Sequence, residues 1–106
     1  MAKQSAPQEL VGIAPKLVEI SNEVLFADVW ERPELSLRDR SLVTVSVLAA
    51  LYRTEQLPYH LGKALENGLS VQELSEAITH LAFYAGWPNA MTAITQLKKI
   101  ADEQSA

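Results

Sequence analysis

Cysteine is absent from this sequence, and its absence excludes several kinds of chemistry. Without a thiol, the chain can form no disulfide bond, thiolate zinc site or iron–sulfur cluster. Peroxide reduction through a thiol cycle is excluded for the same reason, because that reaction passes through a cysteine thiolate. Acid–base chemistry near neutral pH must therefore come from other side chains.

Glycine and proline are scarce, with 4 and 5 residues in 106, so the composition fits neither a collagen-like nor a low-complexity chain. The longest nearly apolar run extends from Leu42 to Leu51, far short of the ~20 residues that cross a bilayer. The stretch MAKQSAPQEL at the start lacks the apolar segment of a secretory signal. We therefore expect a cytoplasmic protein with no membrane partner.

Basic residues are outnumbered by acidic ones, 9 to 13, and the formal net charge is -4. That sign disfavours binding to a phosphate backbone, so no nucleic-acid partner is expected. A length of 106 residues suits one compact domain. The small, polar residues 1–8 predict a flexible N-terminal tail, and residues 9–106 predict a single helical domain.

Apolar residues with helical spacing begin at Glu9 and predict an amphipathic helix that reaches Phe26, with Pro15 at a helix start or kink. Pro33 predicts a turn, because a proline disfavours helix at the residue before it. Ser36 and Asp39 then approximate a capping box and predict the start of another helix. That helix continues through an apolar stretch on almost all sides, which favours burial at a subunit interface.

Two further helix starts are marked by local signals. One lies between Thr54 and Pro58, and Gly68 is placed to end this helix in the left-handed conformation. Ser70 and Glu73 form a capping box that opens the next helix.

Gly86 ends that helix, and the last helix follows Trp87-Pro88. No hairpin signal is found in the sequence. The pattern therefore predicts an all-α fold, a compact bundle of about five or six helices.

Two side chains, His60 and His80, have an ordinary pKa near neutrality. Gln56 lies four residues before His60 and shares its helical face if the helix includes Gln56, and Arg53 lies a turn further back. A cation, an amide and an imidazole at a helix start suit an anionic substrate. Alternatively, His60 is a partly buried structural residue that pairs with Glu55 or a backbone carbonyl.

His80 lies on a helix with a strongly apolar face, so we expect a structural role for it. The two histidines lie on different helices without a carboxylate at ligand spacing, and we expect no metal site. Arg38 and Arg40 point to different sides of their helix and form one clamp only with help from another element or subunit. Trp30 suits a pocket wall, although tryptophan at a turn more often anchors the core.

Two adjoining blocks, VWERPELSLRDRSLVTVSVLAAL and YRTEQLPYHLGKALENGLSVQELSEAITHLAFYAGWPNA, resemble the carboxymuconolactone decarboxylase family. The resemblance runs from Phe26 to the C-terminus. It is carried by Trp30, Arg32-Pro33, Arg38, Arg40, Arg53, His60, Ala64, Asn67-Gly68, Glu73 and Tyr84-Ala85-Gly86 before Pro88. This resemblance implies an all-helical, alkylhydroperoxidase-like fold and a homo-oligomeric ring, either a trimer or a hexamer.

One branch of this superfamily carries Cys-x-x-Cys, a histidine four residues after the second cysteine, and a glutamate on the preceding helix. The corresponding positions here hold Arg53, Gln56, His60 and Ser41, so the histidine alone is kept. The resemblance to the thiol branch therefore stops at the fold. The decarboxylase-like branch has arginines and a histidine in this block, as this sequence does, and many members have glutamate at the position of Gln56.

The resemblance implies decarboxylation of a carboxylated lactone in aromatic-compound catabolism. Arg53 or Arg40 would orient the substrate carboxylate, and Gln56 or a backbone N–H would stabilise the developing oxyanion. His60 would protonate the carbon that loses CO₂. The lactone itself accepts the electrons, so neither a metal nor an organic cofactor is expected. The remaining candidate substrate-binding residues are Arg38, Trp30 and Glu55.

Two alternatives stay open at this point. In the first alternative, the chain is a small-molecule-binding oligomer without catalytic activity, since one fold supports many functions. Alternatively, it is a helical interaction module, in which His60 has a structural role only.

Overall fold

The computed structural model describes residues 4–105, and the chain divides into two compact units between Leu37 and Arg38. Residues 1–3 of the expected tail lie outside the described residues. The Ala6 N–H in the rest of that stretch donates to Asn22 Oδ1 at 2.9 Å, and the flexibility of the tail stays a prediction. A single domain over residues 9–106 stays a prediction.

In the first unit, the helix expected from Glu9 begins later. A 3-10 turn covers Gln8–Leu10, and α1 covers Pro15–Ile20 before a π-helical segment, Ser21–Phe26, continues it. Proline has no N–H to donate, so it fits the first turn of a helix and does not fit the interior. Pro15 therefore starts α1 and prevents a continuous helix from Glu9.

The first unit exposes most of its apolar residues. Val18 is buried in α1, and Trp30 is buried in the 3-10 turn Val29–Glu31. A stripe at helical spacing is exposed, formed by Ile13, Leu17, Ile20 and Val24.

The second unit contains most of α2, which covers Leu37–Ala50 and starts directly after Ser36, as the capping pattern predicts. One face of α2 is buried and carries Ser41, Val45 and Ala49, each four residues after the last. The opposite face also carries apolar residues at a spacing of four, and these are exposed: Val43, Val47 and Leu51. The expectation of a helix apolar on almost all sides is confirmed.

A tight turn joins α2 to α3, which covers Leu57–Glu66. Tyr52 adopts a positive φ of 58°, and Asn89 Nδ2 donates to the Ala50 carbonyl at 2.9 Å. Gly68 follows α3 with a φ of 106°, so the expected left-handed end is confirmed.

The capping box predicted at Ser70 is present at the start of α4, which covers Val71–Ala85. Ser70 Oγ accepts from the Glu73 N–H at 3.0 Å, and Glu73 Oε1 accepts from the Ser70 N–H at 2.9 Å. Gly86, with a φ of 113°, separates α4 from α5, which covers Trp87–Ser105.

The core of the second unit lies among α2, α3, α4 and α5. Its most deeply buried large residues are Val45, Leu57, Leu61, Leu74 and Ile78. Residues 4–105 form five α-helices and no strand, which confirms the all-α class. Within this range, no helix combines the length and apolar character needed to cross a membrane.

We predict that Ser70→Ala lowers the free energy of unfolding by about 0.5–2 kcal/mol, because the Glu73 N–H loses its acceptor. Urea denaturation at neutral pH measures the change. Ser75→Ala, in the interior of the same helix, is the control and should change stability by less than about 0.5 kcal/mol. Equal losses in the two variants would contradict a capping role.

Candidate active site on helix α3

Four polar residues share one face of α3 and its two ends. Gln56, His60, Lys63 and Asn67 follow one another at spacings of four, three and four, which places them in one row along a helix. Gln56 has helical backbone angles, and the His60 N–H donates to the Gln56 carbonyl oxygen with an N···O distance of 3.5 Å. We call these four residues the α3 polar stripe.

The α3 polar stripe lies beside the face of α3 that enters the core through Leu57, Leu61 and Ala64. Its middle residues are therefore withdrawn from water. His60 is half-buried, and Lys63 is only 8% exposed although it carries a charge. Polar groups removed from water in this way interact more strongly with one another and with a ligand.

A hydrogen bond fixes the C-terminal end of the stripe. Asn67 Nδ2 donates to Ser41 Oγ on α2 at 2.9 Å, and Ser41 is 1% exposed. The buried partner of Asn67 is therefore a neutral hydroxyl, which bonds an amide.

Burial governs the electrostatics around His60. Desolvation lowers the pKa of the imidazole below its ordinary value, because the charged form loses hydration. The neighbouring Tyr59 ring meets His60 edge-on, with ring centroids 5.1 Å apart. Burial raises the pKa of Tyr59, and the charge of Glu66 raises it further. Both rings are therefore neutral at pH 7.

Arg53 and Glu55, two of the candidate residues, are exposed on the turn before α3. Arg53 contributes its backbone to this turn: its N–H donates to the Leu48 carbonyl at 2.8 Å, and its carbonyl accepts from the Leu57 N–H at 3.1 Å. Gln56 is exposed at the start of the stripe. Within the α3 polar stripe, the sequence prediction thus identified Gln56 and His60.

Arg38 is engaged by acidic side chains. Its guanidinium donates to Asp39 Oδ1 at 2.8 Å and to Glu73 Oε2 on α4. Glu73 and, to a smaller extent, Asp39 raise the pKa of Arg38. The pKa of Glu73 is lowered by its hydrogen bond from the Ser70 N–H and by the Arg38 guanidinium. Arg40 is half-buried on α2.

A groove of about 740 Å³ runs along α2 and α4, with an apolar floor that includes Leu42, Leu69, Ala77 and Leu81. Its rim carries Arg38 and His80, together with Glu73 and Glu76. His60, Gln56 and Arg53 are not among its lining residues. We call it the α2–α4 groove.

The side chain of His80 is exposed on the groove side of α4 and contacts the Tyr84 ring, with centroids 5.2 Å apart. His80 lies next to the buried Leu81 in sequence and points to another side of the helix. A structural role for His80 stays a prediction.

Sequence reasoning missed Lys63, Asn67 and Ser41. The spacing of Lys63 and Asn67 from His60 was available as a signal, because both repeat the helical row. Ser41 gave no local signal, since its partner is 26 residues away. Within residues 4–105, no three histidine, aspartate or glutamate side chains group as metal ligands.

Comparison with known proteins shows the family to which the chain belongs. The sequence model of the carboxymuconolactone decarboxylase family matches residues 15–99. The chain is 40% identical over 75 residues to a 4-carboxymuconolactone decarboxylase of Acinetobacter baylyi, covering 71% of this chain and 56% of that protein. It is 31% identical over 85 residues to a nitrosuccinic acid decarboxylase of Metarhizium robertsii, covering 80% of this chain and 59% of that protein.

The chain thus spans less than two thirds of the length of these two relatives. The family match includes all of α2, α3 and α4, and with them the whole α3 polar stripe. By this match, the chain belongs to the carboxymuconolactone decarboxylase family.

Proposed function

We propose that this chain decarboxylates a small carboxylated substrate at the α3 polar stripe, without a cofactor. Two relatives are both named as decarboxylases, one of 4-carboxymuconolactone and the other of nitrosuccinic acid. Removal of a carboxyl group is what those names share. The observation that carries the proposal is the half-buried His60 in a row of polar side chains on α3.

The proposed substrate is a carboxylated lactone from aromatic-compound catabolism in the cytoplasm, and the 40% identity to the bacterial relative supports this choice. In the reaction, the bond between the carboxylate and the ring carbon breaks and CO₂ leaves. The electron pair moves toward the lactone carbonyl, and a proton then adds to the carbon. One proton is consumed for each CO₂ released.

His60 is proposed to supply that proton. Its lowered pKa keeps the imidazole neutral in the free chain at pH 7. An anionic substrate beside the ring favours the imidazolium, so His60 takes up a proton as substrate binds. The imidazolium then protonates the carbon, and water restores the proton.

Gln56 has a compatible role at the start of the stripe. Its amide can donate a hydrogen bond to an oxyanion and cannot titrate, whereas a glutamate at this position can accept a proton. Gln56 therefore leaves proton transfer to His60. The other proposed substrate-binding residues in the second unit are Arg53, Arg40 and Glu55.

A homo-oligomer, either a trimer or a hexamer, is part of the proposal. The exposed α2 row of Val43, Val47 and Leu51 is an apolar face of the kind that subunit interfaces bury. Phe83 and Trp87 are exposed as well and contact each other edge-to-face, with ring centroids 6.3 Å apart.

A second candidate function is small-molecule binding without turnover, in the α2–α4 groove. The groove's volume and apolar floor are typical of ligand sites. Its rim holds Glu73 and Glu76 against the single arginine Arg38, so it suits a neutral or cationic ligand better than a carboxylate.

We predict that the pKa of His60 in the folded chain lies below the ordinary histidine value of 6.5, because burial disfavours the imidazolium. The contribution of His60 to the free energy of unfolding is then complete at pH values above its pKa in the unfolded chain. It is lost as the pH falls through its pKa in the folded chain. NMR of the His60 Cε1–H against pH measures the midpoint, with the urea-unfolded chain as reference. A folded midpoint at or above the unfolded one contradicts the burial argument.

We predict that His60→Ala lowers CO₂ release from carboxymuconolactone by about 10²–10⁴-fold, the usual contribution of general acid–base catalysis. His80→Ala, which removes the exposed histidine of the α2–α4 groove, should keep the wild-type rate. A wild-type rate per folded subunit in His60→Ala would end the assignment of His60. Absence of CO₂ release by the wild type would end the choice of substrate.

We predict that light scattering gives a mass of three or six times 11.7 kDa for the purified chain. Val47→Asp should reduce this mass, because it places a charge in the apolar α2 row. Gln72→Asp adds the same charge at an exposed polar position on α4 and should leave the mass unchanged. A wild-type monomer would contradict the interface argument.

A further inference from the structure

Lys63 is the least expected feature of the α3 polar stripe. It is 8% exposed, whereas the side chain of Lys98 on α5 is 76% exposed. A lysine withdrawn from water in this way is uncommon, because the ammonium loses hydration when it is buried. Structural and functional explanations for its burial make different predictions, which can be tested.

The ammonium has a carboxylate within reach. Lys63 Nζ lies 3.9 Å from Glu66 Oε2, and the Glu66 side chain is 50% exposed. The pair is therefore asymmetric: the cation is in the protein and the carboxylate is at the surface. The ammonium therefore lies deeper in the protein than this carboxylate, and charges interact more strongly there than in water.

Lys63 and His60 are one helical turn apart on the same face of α3. Their Cβ atoms are therefore about 5–6 Å from each other. This separation suits two adjacent parts of one small substrate, namely the carbon that is protonated and the oxygen that receives the electron pair.

Arg38 and Arg53 fit that oxygen less well. Arg38 already donates to two carboxylates, and Arg53 is exposed on the turn before α3. A buried, positioned charge stabilises a developing oxyanion more than a solvated one, because little reorganisation is needed when the charge appears.

We propose that the Lys63 ammonium stabilises the oxyanion that forms on the substrate carbonyl when CO₂ leaves, next to His60. This inference rests on the proposed decarboxylation and adds a residue to it. Lys63 attracts the negative charge that develops on the carbonyl oxygen as the bond to CO₂ breaks, so its effect falls on kcat.

Lys63→Met tests the proposal, because methionine keeps the length of the side chain and removes the charge. We expect kcat for CO₂ release to fall about 10²-fold or more, with KM changed much less. Lys63→Arg keeps a cation and should restore part of kcat. Lys98→Met, which removes the same charge from an exposed ion pair, should keep both constants.

A binding measurement tests the same inference without turnover. Tetronate, the stable anion of a five-membered enol lactone, imitates the oxyanion and serves as the probe. Isothermal titration should give a Kd for the wild type that Lys63→Met weakens at least about tenfold. Lys98→Met should bind tetronate as the wild type does.

Thermal denaturation separates these effects from misfolding. We expect Lys63→Met to melt at or above the wild-type temperature, because replacing a buried charge with an apolar side chain is often neutral or stabilising. A lower melting temperature with unchanged kcat and tetronate affinity would show that Lys63 is structural and would overturn the inference.

The remaining outcomes separate the inference from the proposed function. Lys63-dependent tetronate binding without CO₂ release from any lactone would support the oxyanion site and contradict the decarboxylation. If the wild type releases CO₂ while Lys63→Met changes neither kcat nor the affinity for tetronate, the result would support the decarboxylation and overturn the role of Lys63. A wild type that binds no tetronate would overturn that role as well.

Discussion

The hydrogen bond from Asn67 Nδ2 to Ser41 Oγ, 2.9 Å long, joins the C-terminal end of the α3 polar stripe to α2. Ser41 is almost completely buried in the row that α2 turns toward the core, so its hydroxyl cannot exchange this partner for water without loss of stability. Helical spacing places His60 and Lys63 on the same side of α3 as Asn67. The chemistry proposed for the chain depends on this arrangement.

Two polar regions of the second unit differ in charge and hydration. In the α3 polar stripe, an imidazole with a lowered pKa stands one turn from a buried ammonium. In the α2–α4 groove, the arginine is neutralised by carboxylates, and a further glutamate lies on the rim. The groove rim thus carries more carboxylates than arginines, which is why we assign the carboxylated substrate to the stripe.

Local signals predicted the fold well. The capping box at Ser70 and the glycines at positions 68 and 86 bound their helices as expected, because each acts through neighbouring backbone groups. Pro15 was expected at a helix start or a kink, and it starts α1. The π-helical continuation of α1 was missed, since apolar spacing changes little between these helix types. A pattern of apolar residues does not report which carbonyl accepts each hydrogen bond.

The site was predictable only in part. Its helical row put Gln56 near His60, whereas one of the two partners of Arg38, Glu73, lies 35 residues away and gives no local signal. Lys63 was overlooked because lysines at such positions are usually solvated, and burial depends on packing between distant segments. The exposure of His80 likewise depends on which side of α4 faces the core.

The most direct test of the central claim is a crystal structure of the chain with bound paraconate, a saturated lactone carboxylate that does not lose CO₂ readily. The account predicts that the lactone binds along the α3 polar stripe, with its carbonyl oxygen within hydrogen-bond distance of Lys63 Nζ and its ring next to His60. Paraconate bound in the α2–α4 groove beside Arg38 and His80, with the stripe empty, would contradict it.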